Sequence, residues 1–120
     1  MANKAAVVNY IGSLVLVHQQ LDTTGTVTLL TARRDLRLAL AWGVMNGAGA
    51  SGDKIKLTDG TNDITDDVDV SAKSDTDLFL FGKIDDAYRD LGPGATLQAV
   101  NTSAALVDVF VLLIVTTPPV

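Results

Sequence analysis

A chain of 120 residues and 12.6 kDa has the size of a single domain, read here as residues 1–120, and is expected to bury roughly 12,000 Å² on folding, enough for one core. Fourteen acidic against nine basic residues give a net charge of −5, which argues against a nucleic-acid binder held by phosphate contacts. The absence of cysteine excludes a disulfide framework and a thiolate metal site. All 14 acidic residues are aspartate. Glutamate, a good helix former, is missing while Val and Thr are abundant, so the composition leans to strands and turns.

At the N-terminus Lys4 precedes an apolar stretch, but Asn9, Tyr10, Gly12 and Ser13 interrupt it. No small-residue cleavage site closes it before His18, so residues 4–10 read as a short strand and not as a signal peptide. Residues 14–21 and 26–32 are two strand-like runs joined by Asp22, Thr23, Thr24 and Gly25, turn residues that predict a hairpin. In residues 33–42, Leu36, Leu38, Leu40 and Trp42 alternate with Arg37, Ala39 and Ala41. Period two predicts a strand with the leucines and Trp42 in the core; the same residues form helices well, which keeps a helix as the competing reading. Residues 46–52, with Gly47, Gly49 and Gly52 among small residues, read as a loop.

Ile55 and Leu57 alternate with Lys54, Lys56 and Thr58 before Asp59, Gly60, Thr61 and Asn62, a strand and tight turn. Ile64, Val68 and Val70 lie in an aspartate-rich loop with short extended pieces. Residues 77–81 carry Leu78 and Leu80 on one face and Phe79 and Phe81 on the other, a pattern that predicts cover on both sides. Residues 84–91 read as one helical turn or an exposed connection, and Leu91-Gly92-Pro93-Gly94 as a turn. Residues 97–101 and 106–115 close the chain as strands, the last apolar on both faces, with Thr116, Thr117, Pro118 and Pro119 ending it. The apolar run 104–115 contains Asp108 and is far shorter than the roughly 20 residues of a spanning helix, so no membrane segment is expected. About eight strands at this spacing, without long helices, predict an all-β fold, an antiparallel β-sandwich of jelly-roll type.

Candidate chemistry is sparse. His18, the only histidine, is the one side chain whose ordinary pKa suits base catalysis near neutrality, and Ser13 and Asp22 complete a triad on paper, though no nucleophile-elbow pattern surrounds them. Asp66, Asp67, Asp69, Asp75 and Asp77 form one acidic group, and Asp59, Asn62 and Asp63 another. Neither has the EF-hand glycine and bidentate acid, so a solvated, turn-rich face is the main reading and a calcium site the lesser one. The loop Gly47-Ala48-Gly49-Ala50-Ser51-Gly52 lacks the Walker lysine. Neither an enzyme nor a cofactor site is expected. Arg33, Arg34 and Arg37, with Asp35 among them, are the only basic cluster; their forks suit an acidic partner surface or an ion pair within the assembly.

The cysteine-free, acidic, all-β character, the glycine-rich central loop, the run Gly52-Asp53-Lys54-Ile55-Lys56-Leu57-Thr58-Asp59-Gly60-Thr61 and the turn Leu91-Gly92-Pro93-Gly94-Ala95-Thr96-Leu97 together resemble tailed-phage structural proteins. Among these the chain looks most like capsid decoration (cement) proteins and related head-spike base proteins. The resemblance implies a homotrimer on the outside of an icosahedral head, contacting the major capsid protein, made in the host cytoplasm and carried on the virion. The net charge and the lack of a spanning segment leave no nucleic-acid or membrane partner expected. Two-sided apolar strands fit such an oligomer, with Arg33, Arg34 and Arg37 as partner-binding candidates. A trimeric fibre, a spike base and a receptor- or carbohydrate-binding module are the alternatives.

Overall fold

Alternating apolar side chains punctuated by Gly- and Asp-rich breaks leave little room for helix, and the computed structural model, which describes residues 6–116, contains none among the described residues. Ten strands follow one another: β1 (Val7–Ile11), β2 (Leu14–Leu21), β3 (Gly25–Thr31), β4 (Leu36–Met45), β5 (Lys54–Thr58), β6 (Val68–Asp69), β7 (Leu78–Leu80), β8 (Asp90–Leu91), β9 (Thr96–Asn101) and β10 (Val107–Val115). The count exceeds the expected eight by β6 and β8, which have two residues each, too few to display a period. The ends of the chain, including Lys4 at the start of the first expected strand and the terminating Thr117, Pro118 and Pro119, lie outside the described residues.

Two antiparallel sheets result. The larger has the order β1-β2-β10-β4-β7, with β8 also beside β4, and the smaller has the order β3-β9-β5-β6. One core cluster joins them in a sandwich-like body: Val15, Val17, Leu38, Val109, Val111 and Leu113 from the large sheet and Ile55, Leu57, Leu97 and Ala99 from the small one are fully or almost fully buried. Each such Val, Leu or Ile contributes about 1.5–3 kcal/mol relative to an exposed position. The segment between β2 and β3 is not a hairpin turn. β2 pairs with β1 and β10 and β3 with β9, so Asp22, Thr23 and Thr24 carry the chain from one sheet to the other.

The expected strand at 33–42 is real but displaced. Arg33, Arg34 and Asp35 precede β4 in an exposed loop, so Arg33 and Asp35 do not share a face with Arg37 as one continuous strand over 33–42 would require. Within β4 the pairing to β10 slips: Leu113 opposes Leu38 whereas Leu112 opposes Leu40. Ala39 is the extra residue of a β-bulge, which reverses the faces of everything after it. Leu36 and Leu38 are buried, but Leu40 is 44% exposed and Trp42 is only half-buried, on the outer side of the sheet. Trp42 and Leu40 therefore lie outside the core in which simple alternation placed them.

The loop 46–53 is tied down. A side chain at Gly49 would collide with the Val70 carbonyl oxygen, and the Gly49 amide donates to the Lys73 carbonyl at 2.8 Å. Asn101, 1% exposed, clamps the 102–105 turn by accepting from the Ala105 amide and donating to the Ala105 and Thr23 carbonyls at 3.0 and 3.1 Å. Residues 85–89 form a single turn in which the Asp85 carbonyl accepts from Tyr88 and Arg89, one of the two conformations expected there.

Candidate interaction surface

The two sheets treat their outer faces differently. On the small sheet the outward residues include Thr26 and Thr28 from β3, Gln98 and Val100 from β9, Lys54 and Lys56 from β5 and Asp69 from β6, the mainly polar face expected of a sheet with one solvated side. On the large sheet the registers place Val7, His18, Phe110, Trp42 and Leu80 in one row across five strands. A neighbouring row holds Asn9, Leu16, Leu112 and Leu40, and a third holds Ile11, Leu14, Ile114 and Arg37. On the other flank lie Gln20, Asp108, Val44 and Leu78. This solvent-facing side is mostly aliphatic and aromatic: Ile11, Leu78 and Leu80 are 64%, 64% and 63% exposed. Cover on both sides of β7, expected from its sequence, is therefore absent in the single chain. Phe79 and Phe81 are buried inside while Leu78 and Leu80 stand bare.

Aromatic stacking organises the centre of the face. His18 lies parallel to Phe110 with ring centres 4.6 Å apart, and Phe110 lies parallel to Trp42 at 5.5 Å, both within the range of favourable ring contacts. His18 Nε2 is 3.0 Å from Asp108 Oδ1. No local sequence signal brings these two together, because they stand 90 residues apart. The Ser13–His18–Asp22 arrangement is not assembled. At the rise of an extended strand, Ser13 and Asp22 lie about 17 and 13 Å from His18, in opposite directions along β2.

Arg37 is already engaged. Its Nε and one terminal nitrogen donate to the two Asp90 oxygens at 2.7 and 3.0 Å. Hydrogen bonding and charge from Asp90 raise the Arg37 pKa above its ordinary value, while the Arg37 hydrogen bond is the main cause lowering that of Asp90. Both side chains are about half exposed, so the pair contributes little to stability. Arg33 and Arg34 have no ion-pair partner among the described residues. Both line a cleft of about 170 Å³ with Tyr10, Gly12, Leu36 and Val115, and Arg33 and Tyr10 also border a shallow depression of about 500 Å³. The three arginines thus divide: two at one end of the sandwich, one locked to Asp90.

Several of the aspartates, Asp53, Asp59, Asp69, Asp77 and Asp85, act as turn caps. Asp59 Oδ1 accepts from the Thr61 and Asn62 amides at 2.9 and 2.6 Å; burial pushes its pKa up, but these amides outweigh it and hold the carboxyl below its ordinary value. The Ser71 hydroxyl and amide do the same for Asp69. Asp77 accepts from Ser74, and Asp85 from Ala87. Among the described residues no three carboxylate or histidine side chains converge where a metal ion could sit. No family model matches the chain, and no curated protein or solved structure matches it.

Proposed function

We propose that the chain is a non-catalytic structural protein of a tailed-phage virion, a homotrimer that decorates the outside of an icosahedral head and stabilises it by bridging subunits of the major capsid protein. The observation that carries this reading is the outer face of the large sheet. Among the described residues this face carries the most exposed large apolar side chains, Ile11, Leu78 and Leu80, and an extended apolar surface suits assembly better than chemistry. The strand pairs β5–β6, β4–β7, β3–β9 and β2–β10 are nested one inside the next, as in a long hairpin rolled over itself. That nesting supports a jelly roll, with β1 and β8 as additions. Closed threefold symmetry stops growth at a defined particle and presents each weak contact three times. Arg33 and Arg34, exposed at one end and without an ion-pair partner among the described residues, offer forks to capsid carboxylates; Arg37 does so less, since Asp90 occupies it.

The test is to add the protein to undecorated expanded capsids, image them, and compare rupture of bare and decorated shells under heat or low salt. Density at three-fold positions with delayed rupture supports the reading. Absence of binding, or rupture under unchanged conditions, refutes it. Tyr10, 61% exposed beside Arg33 and Arg34, favours a second reading as a spike-base, fibre or receptor-binding module, in which that end would meet a carbohydrate or receptor.

A further inference from the structure

We infer that the outer face of the large sheet is buried against further copies of this same chain, centred on the His18–Phe110–Trp42 stack. The inference deepens the assembly reading above by naming the surface and its occupant. The 17 outward residues of these four rows each cover about 4.8 by 6.8 Å, a face of roughly 550 Å² in projection. The largest apolar patch of a typical monomer is about 300–600 Å², and a standard interface buries about 800 Å² of accessible surface per partner. Projection understates accessible area, because upright Leu40, Trp42, Leu78 and Leu80 side chains corrugate the face.

Charge decides what covers it. The ionisable side chains among its described outward residues are His18, Asp108 and Arg37, and each has a partner on its own chain: His18 with Asp108 at 3.0 Å, Arg37 with Asp90 at 2.7 Å. These polar groups are thus already hydrogen-bonded within the chain, and burying a further, unmatched charge against them would be costly. A partner must be apolar, flat and neutral. The small sheet's outer face, with Lys54, Lys56 and Asp69, fails that description, while the large sheet's own face meets it. In a closed trimer the three copies turn this face toward the common axis, each face meeting parts of the other two. A second copy is in addition the one partner present in equal amount whenever the chain is made, so the face is covered without waiting for another protein.

The experiment is sedimentation of the purified chain across a range of protomer concentrations, with Leu40→Asp and Ile114→Lys on this face and Thr28→Asp on the small sheet as the control. Wild type and Thr28→Asp are expected to sediment as one oligomer at micromolar concentration. Leu40→Asp and Ile114→Lys are expected to weaken association by roughly 100-fold or more, because each places a charge in the buried face. Circular dichroism and a cooperative melt establish that the variants fold; both point outward from the core, and if one fails to fold the other carries the test. Trp42 emission should shift to longer wavelength as the wild type is diluted into protomers. A monomeric wild type overturns the inference, and so does a folded variant that keeps the wild-type oligomer. Shell binding distinguishes the two proposals: a protein that assembles through this face yet never binds capsids refutes the decoration reading alone, and a capsid-stabilising oligomer that folded Leu40→Asp and Ile114→Lys variants leave intact refutes this inference alone.

Discussion

Replacing Gly43 by alanine probes the packing that holds the edge of the large sheet. Gly43 on β4 and Phe79 on β7 are register partners, and the Phe79 ring, 5% exposed, lies directly over the glycine. An alanine Cβ would collide with Phe79 Cζ and lie 2.7 Å from Cε1. Phe79 is held by Phe81, edge-on with centroids 5.5 Å apart, so it has little freedom to move aside. Two effects oppose each other. Alanine in a strand gains about 0.5–1 kcal/mol over glycine from the lost backbone entropy, whereas overpacking a core costs about 1–3 kcal/mol. The collision wins, with a net loss of about 1–2 kcal/mol and a fall in Tm of about 4–10 °C for a domain of this size. Thermal and urea unfolding at one fixed protomer concentration measure it, since assembly makes the midpoint depend on concentration. The double variant Gly43→Ala with Phe79→Leu should cost less than the sum of the single changes, a coupling of about 0.5–3 kcal/mol for residues in contact. A Gly43→Ala variant as stable as the wild type, or more so, refutes the reasoning.

Asn101→Ala strands the Ala105 amide and the Thr23 and Ala105 carbonyls that Asn101 now satisfies; urea unfolding should show a loss of about 3 kcal/mol, and a loss below about 1 kcal/mol counts against the clamp. Asp59, Asp69 and Asp90 are held below the ordinary carboxylate value, so their contribution is complete above the unfolded value near 4 and disappears as pH falls through the folded values. Urea midpoints should accordingly be level from about pH 7 to 5 and drop below about pH 4, and a midpoint rising on acidification from pH 5 to 3 contradicts the capping geometry. Since no three metal-ligating side chains converge among the described residues, EDTA should shift Tm by less than about 5 °C, roughly 1 kcal/mol.

The all-β class was legible because period-two stretches separated by Gly, Pro and Asp punctuate nearly the whole chain. Residues 14–21 emerged with their boundaries intact as β2, and the apolar residues on both faces of 106–115 announced the outer sheet face before any pairing was known. Partnership was not legible. Asp22-Thr23-Thr24-Gly25 has hairpin chemistry but serves a crossing between sheets, because β10 and β9 compete for β2 and β3 over longer registers than a local hairpin would give. Arg33, Arg34 and Arg37 are neighbours in sequence and separated in role, since the strand begins only at Leu36 and Asp90, 53 residues away, captures Arg37. The His18–Phe110–Trp42 stack draws one ring from each of three strands, and only the sheet order reveals it.

The bulge at Ala39 connects the core to the outer surface. Were β4 regular throughout, with Leu36 and Leu38 inside, then Leu40, Trp42 and Val44 would also point inward and Ala39, Ala41, Gly43 and Met45 outward. The outer face would then be built of small residues, and a tryptophan would have to fit under the small sheet. One extra residue exchanges the sets. Ala41 and Gly43 become the inner lining opposite Val111 and Val109, leaving space that the Phe79 ring fills from β7. Leu40, Trp42 and Val44 join Leu112, Phe110 and Asp108 outside. The Phe79 ring seated over Gly43 and the apolar face around Trp42 are consequences of a single slip in register. A core that is thin along β4, closed by an aromatic ring on a three-residue edge strand, accompanies a surface richer in apolar side chains than a lone sandwich needs.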